Sequence, residues 1–130
     1  MQLLMVRSSI ALVLLLGGWL SQTRAEYQLK EFLKAQEIPD GKKALEVYVV
    51  GLGRGIQWTN VAASRRGNAL FCLPDKLSFD SAMFWSLLEQ EIHRPTDGQT
   101  YGETDPIEWI LLRSFVGRFP CPAEQQVPKK

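Results

Sequence analysis

The two cysteines, Cys72 and Cys121, constrain the fold of this chain more than any other feature of its sequence. An even number of cysteines in an exported chain favours a disulfide. Such a bond would close a loop of about 50 residues and contribute about 4 kcal/mol by restricting the unfolded chain. The alternative is a pair of free or metal-binding thiols. The sequence supports a metal site weakly, because it offers one histidine, His93, and no Cys-x-x-Cys spacing.

Export is expected because residues 1–25 have the architecture of a signal peptide. Arg7 gives a basic start, residues 10–20 are almost wholly apolar, and a small-residue cleavage site ends on Ala25. The apolar run is shorter than the roughly 20 residues that a membrane span needs. An uncleaved membrane anchor is the alternative interpretation. Cleavage near Ala25 would leave residues 26–130 as one domain.

The charge of the mature chain is nearly balanced. Cleavage removes Arg7 and Arg24 from 15 basic residues and none of the 14 acidic ones, which leaves 13 basic and 14 acidic residues. Such a chain has no basic stripe and no electrostatic reason to bind nucleic acid or acidic membranes. We therefore expect no nucleic-acid partner, and no membrane contact after signal cleavage.

Four segments have helical periodicity, and none shows the alternation of a strand. These segments are 27–37, 42–63, 79–92 and 106–119. Ser78 is predicted to cap the third helix, and Asp105 with Glu108 is predicted to form a capping box on the fourth. The cysteines precede the third helix and follow the fourth, so antiparallel packing of these helices would bring them together. The predicted fold is an all-α, small four-helix bundle closed by one disulfide.

The second predicted helix is apolar on two sides. One row contains Leu45, Val49, Leu52 and Ile56, and a second row on nearly the opposite side contains Val47, Val50, Arg54, Trp58 and Val61. Such a helix is usually central in a bundle or shared between a core and a partner. Gly51 and Gly55 lie one turn apart, so a neighbouring helix could approach closely there.

The sequence favours a binding role over catalysis. His93 could act as a base for a cysteine or for Ser78 or Ser81, but a lone histidine after a helix is more often a surface residue. Glu89, Glu91 and Glu108 are spaced as solvated helix residues, and no pair of them suggests a general acid and base. We predict no catalytic residue, no cofactor and no metal.

The aromatic residues and the loop after the third helix are the candidates for partner binding. We expect two of Trp58, Trp85 and Trp109 to lie in the core, and one left exposed would be a binding anchor. Loops on a rigid helical frame concentrate binding residues. The surface predicted to contact a partner consists of five residues: Trp85, His93, Arg94, Asp97 and Tyr101.

Several motifs resemble the Rap/Tai family of immunity proteins from bacterial type VI secretion systems. The entry Phe71-Cys72-Leu73-Pro74 precedes a helix that is followed by His93-Arg94-Pro95, and the last helix closes in Phe119-Pro120-Cys121. Upstream, Tyr48-Val49-Val50-Gly51 is similar to the family's tyrosine-to-glycine segment. Many members carry two further cysteines, and Leu45 stands where one of them is expected.

The resemblance implies a periplasmic, helical and often dimeric protein. Characterised members bind a peptidoglycan amidase toxin and occlude its active-site cleft, without performing chemistry themselves. The expected partner is therefore a peptidoglycan amidase effector, with a homodimer as a second association. The alternative is a periplasmic binding or stress module that acts like a chaperone. The second apolar row of the second helix suggests this alternative.

Overall fold

The computed structural model describes residues 26–123, so the predicted signal peptide lies outside the described residues. It contains four helices, α1 (Leu29–Gln36), α2 (Gly41–Ser64), α3 (Ser81–His93) and α4 (Ile107–Arg118). Within residues 26–123 there is no strand, only an isolated bridge between Gln28 and Pro106. The predicted all-α class is confirmed. None of the described helices combines the length and apolar character needed to cross a membrane.

The core lies between α3 and α4, which form the most extensive helix pair, and is covered by α2 and α1. Its centre is a group of phenylalanines in which Phe71 and Phe79 of the lead-in to α3 both pack on Phe115 of α4. The ring centroids of Phe71 and Phe115 are 4.8 Å apart, and those of Phe79 and Phe84 are 5.6 Å apart. Burial of such large apolar side chains is the main favourable contribution to folding.

One disulfide joins Cys72 to Cys121, as predicted. Their Cα atoms are 4.7 Å apart and 49 positions apart in the sequence. The amide of Cys72 also donates a hydrogen bond of 2.8 Å to the carbonyl of Phe119. The segment before α3 is thus joined to the end of α4 both covalently and through the backbone.

The start of α3 differs from the prediction. Ser78 does not cap the helix; Asp80 does, and its carboxylate accepts a hydrogen bond of 2.8 Å from the amide of Met83. The helix begins later because Phe79 is extended into the core, where it stacks on Phe84. Burial of Phe79 outweighs the additional helical turn.

The predicted capping box of α4 is also absent. The Asp105 carboxylate accepts a hydrogen bond from the amide of Gly102 at 2.7 Å, and Glu108 accepts one from the Tyr48 hydroxyl. The first amide of α4, that of Ile107, instead donates to the carbonyl of Tyr27 at 2.9 Å. A backbone group from the beginning of the domain therefore satisfies a donor that helices usually satisfy with a side chain.

Asn60 connects α2 to the segment before α3. Its side chain is buried, donates to the carbonyl of Phe71 at 2.8 Å, and accepts from the amide of Leu70 at 2.8 Å. These bonds replace the backbone pairing that the non-helical segment lacks. They also set the position of Leu70, whose side chain is turned toward solvent.

Helix α3 approaches α2 closely at Gly53. The expectation that a neighbouring helix of the chain approaches at Gly51 and Gly55 was wrong. A Cβ atom at Gly53 would overlap the ring of Phe84 on α3. At Gly51 and Gly55 a Cβ atom would meet nothing within 4 Å. Gly53 is therefore required by packing within the chain, whereas the other two glycines face open space.

The second apolar row of α2 is mostly exposed. Val47 is 72% exposed, Trp58 69% and Val61 39%. Trp109 on α4 is also exposed, so the expectation of two core tryptophans was wrong. Trp85 packs on Phe32 at the margin of the core, with ring centroids 5.6 Å apart.

Candidate protein-binding groove

A groove of about 500 Å³ runs along α4, between this helix and the segments on either side of α3. Residues from three parts of the chain form its walls. These are Leu70, Thr96, Asp97, Trp109, Leu112, Arg113, Val116 and Gly117. Its size is within the range of sites that accept side chains of a partner or small ligands.

The walls of the groove contain large apolar side chains that the fold leaves in contact with solvent. Leu70 is 53% exposed, Trp109 48% and Val116 41%. Trp109 and Val116 come from α4, whereas Leu70 is held opposite them by the Asn60 hydrogen bonds. Clustered exposed apolar residues on a rigid frame are typical of surfaces that bind another protein.

One part of the groove is polar. Arg113 forms an ion pair with Asp97 and lies over two aromatic rings, with its guanidinium carbon 5.8 Å from the Tyr101 centroid and 5.6 Å from the Trp109 centroid. The Asp97 carboxylate also accepts a hydrogen bond of 3.0 Å from the amide of Gln99. These contacts orient Arg113 and Trp109 before any partner binds, which lowers the entropy that binding must overcome.

The loop that supplies Thr96 and Asp97 is held by a buried carboxylate. Glu91 is completely buried, and its Oε1 accepts hydrogen bonds from the Thr96 amide at 3.0 Å, the Thr96 hydroxyl at 3.1 Å and the Tyr101 hydroxyl at 2.8 Å. Its Oε2 has no hydrogen-bond partner among the described residues and lies 3.7 Å from Arg118 Nη2. The prediction that Glu91 is solvated was wrong.

The same loop packs closely on α4 at Gly117. A Cβ atom at Gly117 would overlap the Thr96 side chain, so only glycine lets the loop lie this close to the helix. Thr96 is therefore fixed on one side by Glu91 and on the other by Gly117. The shape of this wall of the groove depends on both residues.

The buried site around Glu91 also changes the ionisation of Tyr101. Burial first, and then the hydrogen bond to Glu91, raise the pKa of Tyr101 well above its ordinary value. Burial and the hydrogen bond to Glu108 raise the pKa of Tyr48 in the same way. Both hydroxyls act as donors to carboxylates, a role that requires the protonated form.

The five residues predicted to contact a partner do not share one surface. Asp97 lines the groove, and Tyr101 lies behind it beneath Arg113. His93 and Arg94 are exposed at the end of α3. Trp85 packs on Phe32 and lies under the Lys42 ammonium group, which is 5.6 Å from its ring centroid. Sequence reasoning therefore found part of the groove and not its apolar walls.

Trp109 is the groove residue that the sequence came closest to identifying. It is one of three tryptophans that the sequence offers as a binding anchor, but helical periodicity does not separate it from the core residues of α4. Leu70 gave no signal, because it lies in a segment without periodicity and its position depends on Asn60. Val116 is exposed as well, although it directly follows the buried Phe115 on α4.

The structure removes one form of the enzyme interpretation. Cys72 and Cys121 are bonded together, so neither supplies a free thiol nucleophile to His93. The histidine itself is exposed. Within the described residues, no group of three or more His, Cys, Asp and Glu side chains is arranged to hold a metal ion.

Comparisons with protein-family models, with curated proteins and with solved structures found no match. The resemblance to the Rap/Tai family therefore rests on the motif residues of the chain itself. Two of those motifs meet in the folded molecule, where the Phe71-Cys72 entry is bonded to the Phe119-Pro120-Cys121 exit.

Proposed function

We propose that this chain is a periplasmic immunity protein that binds a peptidoglycan amidase toxin of a type VI secretion system and occludes its active site. The observation that carries the proposal is the groove in which Trp109 stands exposed beside Leu70 and Val116. The chain acts by binding rather than by catalysis. Its export, with cleavage near Ala25, would place it in the compartment where such a toxin reaches its substrate.

The chemistry of the groove suits recognition of another folded protein. A central tryptophan in an apolar pocket, bordered by an arginine, is the composition in which binding energy is usually concentrated. Trp109 and Arg113 have this relation, and the ion pair with Asp97 gives the groove a polar edge. A partner that inserts an apolar side chain between Leu70 and Val116 would bury all three apolar walls.

The rigid frame supports the same interpretation. The disulfide joins the segment that carries Leu70 to the end of α4, and Glu91 holds the loop that carries Thr96 and Asp97. An inhibitor that must resist displacement benefits from a surface formed before binding, because little conformational entropy is then lost.

Binding of the amidase by single variants tests the proposal. Trp109→Ala should weaken binding at least about tenfold and abolish protection of cells that express the toxin in the periplasm. Trp58→Ala is the matched control, because Trp58 is equally a large exposed aromatic but lies on α2, outside the groove. Absence of any complex between the chain and the amidase toxin of its own strain would refute the proposal, as would unchanged affinity of Trp109→Ala.

The site of export cleavage is tested separately. Protein recovered from the periplasm should begin at or near Glu26 when its first residues are sequenced. Recovery of the uncleaved chain in the membrane fraction would instead support the anchor interpretation.

A second function is favoured by the exposed row on α2. Val47, Trp58 and Val61 form an apolar surface that could hold unfolded clients in a periplasmic stress module. Suppression of aggregation of a denatured periplasmic protein, lost in Trp58→Ala and kept in Trp109→Ala, would support this function. Amidase binding that is lost in Trp109→Ala and kept in Trp58→Ala would support the immunity function.

A further inference from the structure

The polar part of the groove on α4 leaves a partner more hydrogen-bond donors than acceptors. Asp97 and Arg113 are the charged residues among those that line the groove. Asp97 Oδ1 accepts a hydrogen bond of 3.0 Å from the Gln99 amide, and Asp97 Oδ2 is paired with Arg113 Nη2. Each carboxylate oxygen thus already has a partner within the chain. A basic side chain that entered the groove would have to compete for these oxygens.

The donors that remain for a partner are on Arg113 and Trp109. A guanidinium carries five N–H donors and an indole carries one, and neither group accepts a hydrogen bond. Among the described residues, Asp97 is the one carboxylate paired with Arg113. Thr96 offers no further donor, because its amide and its hydroxyl both donate to Glu91. The unused hydrogen bonds of the groove therefore call for an acceptor on the partner.

Arg113 is accessible to such an acceptor and is held in one orientation. Its side chain is 23% exposed. The guanidinium lies between the ring of Tyr101, behind the groove, and the ring of Trp109 on its wall. A planar guanidinium fixed in this way presents its N–H groups as a fork that fits a carboxylate through two parallel hydrogen bonds. The groove therefore offers a place for a second carboxylate beside its apolar walls.

We infer that the groove recognises an acidic segment of a partner protein, in which a carboxylate binds Arg113 and a neighbouring apolar side chain lies between Leu70 and Val116. Arg113 and Val116 are about one turn apart on α4, which separates the two subsites by about 5 Å along the helix. Residues that are adjacent in an extended segment, or one turn apart in a helix, have side chains at this spacing. Arg113 is then the residue that determines specificity, and Trp109 supplies the apolar contact.

The inference rests on the proposed function, because it names the chemistry that the groove would recognise on the toxin. It goes further in excluding a basic contact segment. A lysine or arginine of a partner would approach the Arg113 guanidinium and would lose its hydration without gaining a free acceptor. The sign of the charge on the contact segment is therefore what the experiments must determine.

Peptide binding to the exported protein tests the chemistry of the groove without the toxin. The probes are four-residue peptides, blocked at both ends, that alternate leucine with glutamate, glutamine or lysine. NMR of the nitrogen-labelled protein should show the glutamate peptide shifting the Trp109 indole and Arg113 Nε resonances. It should bind at least about threefold more tightly than the other two. Equal or tighter binding of either other peptide, or no shift at these two residues with any peptide, would overturn the inference.

Variants of the charged pair test the same chemistry on the amidase complex. Arg113→Gln should weaken the complex at least about tenfold. Asp97→Asn should strengthen it about threefold, because it keeps the oxygen that accepts from Gln99 and removes the charge that competes for Arg113. Arg65→Gln, an equal change of charge at an exposed position after α2, is the matched control and should leave affinity unchanged. An Asp97→Asn complex no tighter than the wild-type complex would overturn the inference.

The two experiments separate this inference from the proposed function. Discrimination among the peptides without any complex with the amidase would refute the immunity function and support the acidic specificity of the groove. An amidase complex that Trp109→Ala weakens and Arg113→Gln leaves unchanged would support the immunity function and overturn the acidic specificity.

Discussion

The Tyr101 hydroxyl donates a hydrogen bond of 2.8 Å to Glu91 Oε1, a carboxylate oxygen that is completely buried beneath the loop of residues 94–102. A charged group in the interior is tolerated only where hydrogen bonds replace those it would make with water. The loop supplies those bonds, and in return its backbone is fixed against the core. Tyr101 is therefore part of the frame of the groove.

Tyr101→Phe should lower the free energy of unfolding by about 1–2 kcal/mol, because it removes one hydrogen bond to a buried carboxylate and keeps the ring. Urea denaturation of the variant and the wild type measures the difference. An unchanged midpoint would show that the hydroxyl contributes no net stability.

Glu91→Ala should destabilise the protein by about 2–4 kcal/mol, because Thr96 and Tyr101 lose their shared acceptor. Thermal denaturation gives the change. Glu89→Ala is the control on the same helix and should remain within about 0.5 kcal/mol of the wild type. Equal effects of the two substitutions would contradict the role assigned to Glu91.

Stability should fall at alkaline pH. Burial and hydrogen bonds to carboxylates raise the pKa values of Tyr48 and Tyr101 in the folded state. Above about pH 10 the unfolded chain loses these protons while the folded chain keeps them, so the free energy of unfolding decreases as pH rises. The contribution is complete below about pH 10. Denaturation curves from pH 8 to 11 should show the decrease, and the Tyr48→Phe, Tyr101→Phe double variant should show less of it.

Gly53→Ala should destabilise the protein by about 1–3 kcal/mol, because the added methyl group overlaps the Phe84 ring. Gly51→Ala should have the opposite effect and stabilise the helix by up to about 1 kcal/mol, since its Cβ enters open space. Circular dichroism during heating distinguishes the two. Stabilisation by both substitutions would mean that α2 and α3 can separate at no cost.

Cys121→Ala should lower stability by about 2–5 kcal/mol through loss of the disulfide. The wild type treated with a reductant should lose a comparable amount, which provides the control. A reduced wild type as stable as the oxidised one would show that packing around Phe71 and Phe119 alone maintains this end of the bundle.

The helices and the disulfide could be predicted because they depend on local periodicity and on the count of cysteines. The ends of the helices could not, because tertiary contacts decide them. Phe79 is drawn into the core, which moves the start of α3 to Ser81, and Tyr27 caps α4 from a distant part of the chain. In each case a long-range contact replaces the local signal on which the prediction relied.

The groove was predicted only in part for a related reason. Glu91 has the spacing of a surface residue, and nothing in its neighbourhood shows that Thr96 and Tyr101 turn back to meet it. Trp109 lies on a helix that is apolar on most sides, so periodicity could not show which residues the rest of the bundle leaves uncovered. The cysteine motifs that resemble a family lie before α3 and after α4 and carry no information on these contacts.

The backbone cap on α4 limits how far the domain can be trimmed at its N-terminal side. The carbonyl of Tyr27 accepts the bond from Ile107, and the amides of Leu29 and Lys30 donate to the carbonyls of Asp105 and Glu103. A protease that removed residues through Gln28 would take away no core side chain, yet it would uncap the helix that carries Trp109. The N-terminal boundary of the folded domain is therefore set by α4, and it lies before Tyr27, whose carbonyl caps this helix.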